Sequence, residues 1–350
     1  MSTPNILFTS LLLNPLLTLK NRIVMAPMTR NMAHDDLSPT VSMKEYYARR
    51  ADAGLIITEG TVVAYNARGY SHTPGIFTTK QTEQWKAVTD AVHERDGRIF
   101  LQLWHVGRVS HPDFINGQLP ISASATSMTG KLSRSELTYV QAKAADENDI
   151  DEVIHCFRLG AKNAMLAGFD GVEIHGANGY LIDQFLHYDT NKRTDQYGIT
   201  PENMARLPLA VVNACGSEIG YERVSIRLSP GAYLHQVAGD VRDAAVFSYL
   251  LHELNKLMLC YVHTGNVDDA VRFDELNQMT MTAFIRKNYT GMLIASGNYQ
   301  LDDAETKINN GEFDLVSIGR PFIANPDLVQ KAYQQTALIP FNPDMLTVLY

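Results

Sequence analysis

The stretch GVEIHGANGYLIDQFL, residues 171–186, holds the pattern that decides the fold. A short apolar run typical of a buried strand leads to His175, and the chain then adds Asn178 and Tyr180 within five residues. An imidazole, a carboxamide and a phenol just beyond a strand end can donate hydrogen bonds to one small molecule. The stretch therefore predicts a buried strand whose carboxyl end carries a candidate site.

Seven further apolar runs repeat this pattern, at residues 22–27, 55–60, 98–105, 224–230, 257–265, 291–297 and 314–320. Near-continuous apolar runs are typical of parallel strands that are covered on both faces. Longer amphipathic segments separate the runs, and eight strands that each precede a helix are the pattern of a (β/α)₈ TIM barrel. We therefore predict a single α/β barrel domain over residues 1–350. The polar segment 106–148 is predicted as a long excursion after the third strand, with room for a short hairpin.

A doubly wound parallel sheet is the main alternative to the barrel. Such a sheet usually has a G-x-G-x-x-G turn after its first strand, whereas here APMTRN, residues 26–31, follows that strand. The predicted helices occupy residues 40–52, 81–94, 150–166, 240–257, 273–288, 302–309 and 326–336, and a further helix opens at Thr200 and Pro201. Asp149 and Glu152 have the spacing of a capping box, which predicts that the third helix begins at residue 150.

Composition excludes several classes of protein. Thirty Lys and Arg against 38 Asp and Glu give a net charge of −8, which argues against nucleic acid as a partner. The three cysteines are scattered, so we expect neither a disulfide framework nor a C-x-x-C metal or iron–sulfur site. Asn14 and Pro15 interrupt the apolar N-terminal segment, which argues against a signal peptide, and no run is long enough to span a membrane. The sequence predicts a cytoplasmic protein.

The ends of the last two strands predict a phosphate site. Gly297 and Asn298 follow the seventh strand, and Gly319 and Arg320 end the eighth. Glycine lets backbone N–H groups approach an anion, and arginine offers a planar charged fork. In TIM barrels the loops after strands seven and eight are a frequent phosphate position.

Gln102 and Arg227 lie within predicted strands, where a polar side chain that faces the barrel interior needs a partner. A flavin isoalloxazine ring would satisfy both, because it has amide-like edges and its reduced form carries negative charge that arginine stabilises. For His175 a metal site is disfavoured, since no ligand set with suitable spacing surrounds it. If the chain turns helically after the strand, His175 and Asn178 can both donate to one oxygen, and Tyr180 can deliver a proton.

With these residues in view, the sequence resembles the Old Yellow Enzyme family of FMN-dependent ene-reductases. It is most similar to the N-ethylmaleimide reductase and nitrate-ester reductase branch. The resemblance covers nearly the whole chain and rests on LKNRIVMAPMTR (19–30), PTVSMKEYYARRADAGLIITEGT (39–61), GRIFLQLWHVGRVSHPDF (97–114), GVEIHGANGYLIDQFL (171–186) and IGRPFIANPDL (318–328).

The resemblance implies a role for each matching residue. The flavin ring would be held by Pro27, Met28, Thr29, Gly60, Gln102 and Arg227, and the FMN phosphate by Gly297, Asn298, Gly319 and Arg320. The substrate's electron-withdrawing group would be bound by His175 and Asn178, the proton would come from Tyr180, and Tyr70 and Trp104 would line the pocket.

The resemblance also implies a reaction. NADPH would reduce tightly bound, non-covalent FMN, and flavin N5 would pass a hydride to an activated alkene that Tyr180 protonates. Enones and maleimides are the expected substrates, with quinones, nitro compounds and nitrate esters as further candidates. We expect a monomer or weak homodimer without a metal ion.

Two departures from the family pattern stand out. TGNVDDAVRFDELNQ, residues 264–278, differs from the shorter loop expected after strand six, which predicts an altered pocket rim. Relatives usually continue past the position of Tyr350, so we expect a further tail.

Three rivals share one or more of these features. Iron–sulfur relatives such as the dienoyl-CoA reductases need closely spaced cysteines, and a barrel aldolase or lyase needs a lysine or carboxylate cluster at the strand ends. A redox-sensing flavin protein would leave Tyr180 without a purpose.

Overall fold

The computed structural model describes residues 5–349, and within them eight parallel strands close into a barrel. The strands are Ile23–Met25, Leu55–Ile57, Ile99–Trp104, Gly171–Gly176, Val224–Leu228, Val262–Thr264, Leu293–Ala295 and Leu315–Ile318. Each strand pairs with the next in chain order, and the last returns to the first through Ile318 and Met25. The predicted (β/α)₈ TIM barrel is therefore confirmed.

Seven of the eight strands are shorter than predicted, and the second and sixth show the causes. The second ends at Ile57, and the chain pairs again with the third strand only at Thr61–Val62. The sixth begins at Val262, five residues later than expected, because residues up to Leu257 are used to end the preceding helix.

Helices cover the barrel between the strands. They are Val41–Ala48, Thr79–His93, Glu147–Leu166, Pro201–Met204, Arg206–Ile219, Asp243–Leu254, Met281–Asn288, Leu301–Asn309 and Leu328–Tyr333, with two short helices at Leu181–Leu186 and Arg320–Ala324. Single 3₁₀ turns occur at Ile6–Phe8, Tyr65–Ala67, Pro112–Phe114, Tyr221–Arg223, Asp274–Leu276 and Pro343–Thr347. In the described part of the chain, no helix combines the length and apolarity needed to cross a membrane.

The predicted start of the third helix was wrong by one turn. The helix begins at Glu147, and its capping box joins Asp146 to Asp149 rather than Asp149 to Glu152. Both pairs have the same spacing, but the earlier one adds a helical turn and Lys143 bridges its two carboxylates at 2.9 and 2.7 Å.

The predicted helix over 273–288 begins only at Met281. Asn277 and Gln278 adopt left-handed backbone conformations, with φ of 55° and 61°, which a continuing helix does not allow. Phe273 is instead buried, and its N–H donates to the Met279 carbonyl at 3.2 Å. The last predicted helix is also shorter, because Gln335 is left-handed.

The N-terminal end of the barrel is closed by a hairpin that the sequence analysis did not assign. Leu11–Asn14 pairs with Leu17–Leu19, and the Asn14 side chain accepts the Leu16 N–H in the turn at 2.8 Å. Leu13, Leu17 and Leu19 are buried against apolar side chains from the strand starts. The hairpin thus seals the end opposite the candidate site.

The excursion after strand three lies over the barrel mouth. It contains a short parallel pair, Ile121–Ser122 with Lys143–Ala144, and the antiparallel bridge Lys131–Thr138, which is the hairpin that the sequence allowed for. Tyr350, the position of the expected tail, lies outside the described residues.

Candidate active site

Polar side chains fill the centre of the barrel between strands three and six. Gln102 Nε2 donates to Glu173 at 2.7 Å, and His263 Nδ1 contacts the other oxygen of Glu173 at 2.8 Å. Arg227 lies next to His263 and His175 in strand register, and it bonds the Thr264 carbonyl at 3.3 Å. Since all of these side chains are at least nine-tenths buried, they compensate one another instead of being solvated.

Electrostatics inside the barrel favour a charged Glu173 and a neutral His263. Burial raises the pKa of Glu173, but His263, Arg227 and Gln102 outweigh it, and the pKa falls below its usual value. Burial lowers the pKa of His263 more than Glu173 raises it. His263 therefore donates Nδ1–H to the carboxylate, and one negative charge faces the positive charge of Arg227. Within the described residues, no three His, Cys, Asp or Glu side chains are grouped to hold a metal ion.

A cavity of about 480 Å³ opens beside Arg227 at the carboxyl ends of strands seven, eight and one. Six of the ten predicted cofactor residues line it: Met28, Arg227, Gly297, Asn298, Gly319 and Arg320. Gly297 has φ of 140°, a conformation that L side chains rarely adopt, and an added Cβ would lie 2.5 Å from Asp269. Two guanidinium groups and a glycine-bearing strand end therefore face one space, as an anionic cofactor requires.

Four predicted cofactor residues are not among those that line this cavity. Pro27 and Thr29 are half-buried next to Met28, while Gln102 and Gly60 are buried. For Gly60 the structure gives a separate reason, because a Cβ there would lie 2.6 Å from the Trp104 ring. Gly60 therefore lets Trp104 pack against the chain segment that follows the second strand.

Four of the predicted catalytic and substrate-binding residues form one aromatic cluster. Trp104 stacks near Tyr70, with ring centroids 5.5 Å apart, and near His175 at 6.1 Å. Tyr180 lies edge-on to Trp104 at 4.9 Å and to His175 at 5.0 Å. His175 Nδ1 and Trp104 Nε1 are buried and have no hydrogen-bond partner among residues 5–349. Buried polar atoms without a partner are rare unless a ligand or a water molecule satisfies them.

Asn178 is placed differently from the expectation. The chain does not turn helically between His175 and Asn178, because Asn178 is left-handed with φ of 65° and the helix starts only at Leu181. The Asn178 N–H donates to Ser229 Oγ at 2.8 Å, and Tyr233 donates its hydroxyl proton to Asn178 Oδ1 at 2.5 Å. The carboxamide is therefore oriented by a partner, and its Nδ2 is the end left for another acceptor.

The loop after strand five contributes two residues that the sequence analysis missed, Tyr233 and His235. His235 Nδ1 lies 2.6 Å from the Asn178 carbonyl, and its ring centroid is 4.8 Å from that of Tyr180. Both residues follow the strand that carries Arg227, so the strand-end rule applied to the whole loop would have found them.

The unusual loop after strand six touches both sides of the site. Asn266 and Val267 line the cavity, and Asp269 accepts from Thr282 and Tyr299 beneath it. Further along, Glu275 accepts the Ala232 N–H at 3.0 Å and so holds the loop that carries Tyr233 and His235. The loop after strand six therefore supports the loop of Tyr233 and His235 and also contributes to the lining of the cavity.

Known proteins match this chain over almost its full length. The profile of the NADH:flavin oxidoreductase / NADH oxidase family covers residues 6–338. The chain belongs to this family. Within it, the structural relatives place the chain with the Old Yellow Enzyme homologues, and its fold and type of activity are those of a flavin oxidoreductase that binds FMN.

Curated relatives and solved structures agree with this assignment to the family. Putative 12-oxophytodienoate reductase 11 of Oryza sativa subsp. japonica is 38% identical over 328 residues, covering 93% of this chain and 89% of the relative. Morphinone reductase in complex with tetrahydroNAD has a TM-score of 0.90 at 40% identity, covering 98% and 94% of the two chains. The Old Yellow Enzyme homologue from Zymomonas mobilis has a TM-score of 0.91 at 35% identity, covering 98% and 97%.

Proposed function

We propose that the chain is an ene-reductase that uses a reduced nicotinamide and FMN to saturate activated C=C bonds. The proposed substrates are enones and maleimides, with quinones, nitro compounds and nitrate esters as further acceptors. The observation that carries the proposal is the unpaired His175 Nδ1, buried beside Tyr180 and next in register to Arg227.

His175 supplies the first contact to the substrate. Burial lowers the pKa of its imidazole well below 6.5, and Arg227 adds to the effect, so the ring is neutral. A neutral imidazole carries one N–H, and an electron-poor alkene offers a carbonyl or nitro oxygen that can accept it. As negative charge develops on that oxygen, the bond strengthens, which stabilises the transition state more than the substrate.

Asn178 supplies the second contact. Tyr233 donates a hydrogen bond to Asn178 Oδ1, so the Nδ2–H groups of the carboxamide remain available to donate to a ligand oxygen. Its left-handed backbone is fixed by Ser229 and by the His235 bond to its carbonyl. The donor is therefore preorganised and costs little rearrangement when the substrate binds.

Tyr180 supplies the proton for the α-carbon. Burial and the neighbouring Tyr70 raise its pKa well above 10, so the phenol is protonated at neutral pH. Its ring lies edge-on to His175, which places the acid beside the proposed oxygen anchor. When bound, FMN would supply the hydride for the β-carbon.

The charged and glycine residues that line the cavity suit the phosphate and the ring of FMN. Arg320, Asn298 and the backbone at Gly297 and Gly319 would hold the phosphate. Arg227 would face the flavin ring, together with Pro27, Met28, Thr29, Gly60 and Gln102 as the sequence predicts. The Gln102 Nε2 donor is committed to Glu173, so its amide oxygen remains as an acceptor for a ring N–H.

The test is Tyr180→Phe, studied by anaerobic rapid mixing in two halves. Flavin reduction by nicotinamide should proceed at the wild-type rate, because it needs no proton from the phenol. Flavin reoxidation by cyclohexenone should slow by about 10²- to 10⁴-fold, the usual contribution of a general acid. Equal slowing of both half-reactions would contradict the role of Tyr180 as proton donor.

Several finer properties belong to the same proposal. We propose NADPH as the preferred reductant, although the related morphinone reductase was solved with tetrahydroNAD, so kcat/KM for NADPH and NADH must be compared. We also propose a single cytoplasmic domain that acts as a monomer or weak homodimer, of the N-ethylmaleimide reductase branch. Sedimentation velocity tests the assembly state, and turnover of N-ethylmaleimide against cyclohexenone tests the branch.

A further inference from the structure

A chain of three polar side chains leads from Tyr180 towards the protein surface. The hydroxyl oxygens of Tyr180 and Tyr70 are 3.1 Å apart. Tyr70 Oη is 3.5 Å from His235 Nε2, at the outer limit of a direct hydrogen bond. Tyr180 is buried, whereas Tyr70 and His235 are only half-buried. The chain thus joins the proposed acid to the edge of the site.

The Asn178 carbonyl sets the direction of the hydrogen bonds in this chain. A carbonyl only accepts, so His235 must carry its proton on Nδ1, 2.6 Å from that oxygen. In neutral His235, Nε2 is then an acceptor, Tyr70 donates to it, and Tyr180 donates to Tyr70. With a second proton on Nε2, both hydrogen bonds of Tyr70 reverse, and the Tyr180 O–H becomes free to face the substrate.

The segment that carries His235 is held in an uncommon conformation. His235 and Gln236 are successive left-handed residues, with φ of 52° and 54°. Arg108 donates to the His235 carbonyl at 3.0 Å, and Thr129 N–H donates to the Gln236 side chain at 3.0 Å. Contacts from the excursion therefore stabilise a backbone that two non-glycine residues would otherwise avoid, and they aim the imidazole at Tyr70.

We propose that Tyr70 and His235 form a proton relay that reloads and orients Tyr180. The proposal rests on the proposed function, because it assumes that Tyr180 protonates the substrate. Tyr70 and His235 are positioning residues in it, and Tyr180 is the catalytic residue.

The proton balance of the relay closes in each cycle. Tyr180 gives its proton to the α-carbon and becomes a phenolate. Tyr70 passes its own proton to that phenolate and receives one from Nε2 of doubly protonated His235. His235 returns to its neutral Nδ1–H form and takes a new proton from solvent, so one solvent proton enters for each substrate reduced.

Charged and titratable groups from several elements face the relay. Around His235 these are Arg108, Asp183 and His175, and around the two phenols they are Tyr139, Tyr233 and Arg134. Burial lowers the pKa of the His235 imidazole below its usual 6.5, because the Asn178 carbonyl and Asp183 offset only part of the effects of burial and of Arg108. Flavin reoxidation should therefore slow as the pH rises through the pKa of His235, since less His235 is then doubly protonated.

The first experiment observes the relay without turnover. Histidine side-chain ¹⁵N–¹H spectra of the FMN-loaded enzyme, with His235 assigned by His235→Asn, should show Nδ1–H as the neutral tautomer. Tyr70→Phe should shift the His235 Nε2 resonance and its titration midpoint. An Nε2–H tautomer, or a titration identical in the wild type and Tyr70→Phe, would overturn the relay.

The second experiment measures reoxidation by saturating cyclohexenone from pH 5 to 9. Asparagine tolerates the left-handed conformation and can still donate to the Asn178 carbonyl, so His235→Asn removes the titrating group with little change in the loop. Tyr70→Phe and His235→Asn should each slow reoxidation about tenfold at pH 6 and abolish its fall with pH, while flavin reduction is unaltered. Leu234→Ala changes an exposed side chain on the same loop, so it is the matched control and should keep the wild-type profile.

The outcomes separate the two hypotheses. If Tyr180→Phe slows reoxidation but both relay variants retain the wild-type rate and pH profile, the relay is wrong and the ene-reductase proposal stands. If Tyr180→Phe reoxidises normally, the acid role of Tyr180 fails and the relay fails with it.

Discussion

His187 is the residue whose replacement gives the sharpest prediction for stability. It is fully buried between two carboxylates, with Nδ1 2.8 Å from Asp243 and Nε2 3.4 Å from Asp183. Asp183 also accepts the Gly179 N–H at 2.7 Å and the Ser229 hydroxyl at 3.1 Å. The cluster therefore ties two helices to the turn that carries Asn178.

The magnitude follows from the pKa of the imidazole. Burial alone would lower the pKa of His187, but the two carboxylates outweigh burial and raise it from 6.5 to about 10. Because the folded pKa is the higher one, its contribution to stability is fully present below pH 6.5 and is lost as pH rises through 10. At about 1.4 kcal/mol for each unit of pKa, this gives roughly 4 kcal/mol at pH 7 and roughly 1 kcal/mol at pH 9.

Urea denaturation of wild type and His187→Gln, followed by far-UV circular dichroism at both pH values, checks this. The variant should lose about 4 kcal/mol of unfolding free energy at pH 7, in the range for breaking a buried ion pair. The difference between the two proteins should shrink to roughly 1 kcal/mol at pH 9. His252→Gln, on the exposed face of the helix that carries Asp243, is the control and should match the wild type. A difference that is the same at both pH values would refute a charged His187.

Three further substitutions test the site. Gly60→Ala forces a Cβ to within 2.6 Å of the Trp104 ring and should lower the unfolding free energy by about 1–3 kcal/mol, measurable as a fall in Tm; an unchanged Tm would show that the ring can move freely. His175→Ala should weaken the binding of phenol ligands to the oxidised enzyme in absorbance titrations, and unaltered affinity would count against the anchor role. Arg320→Ala should raise the Kd for FMN about 10- to 100-fold, because it removes a charge-assisted contact, and Arg320→Lys should have an intermediate Kd. An equal Kd for FMN in the wild type and in both variants would contradict the phosphate site.

Much of the fold was predictable because its signal is local. Each barrel strand is a near-continuous apolar run, and that pattern survives in runs as short as Leu293–Ala295. Helix ends were less predictable, since both Asp146 with Asp149 and Asp149 with Glu152 have the spacing of a capping box. The turn at Asn277 and Gln278 was missed because left-handed conformations of non-glycine residues leave little trace in a sequence.

The candidate site was predictable where residues sit directly at strand ends. His175, Arg227 and Gly297 follow from that rule, and the structure brings His175, Tyr180, Tyr70 and Trp104 into one cluster. Tyr233 and His235 could not be placed, because their loop conformation depends on contacts with Arg108 and Glu275 that are far apart in the chain. Such long-range side-chain contacts have no local sequence signal.

The most direct test of the central claim is an anaerobic absorption spectrum of the purified protein, recorded before and after NADPH and again after cyclohexenone. The account predicts a flavin spectrum that bleaches with NADPH and returns with the enone. A protein that shows no flavin absorbance even after FMN is added would contradict the cofactor site. Bleaching without recovery would contradict the roles of His175, Asn178 and Tyr180 in alkene reduction.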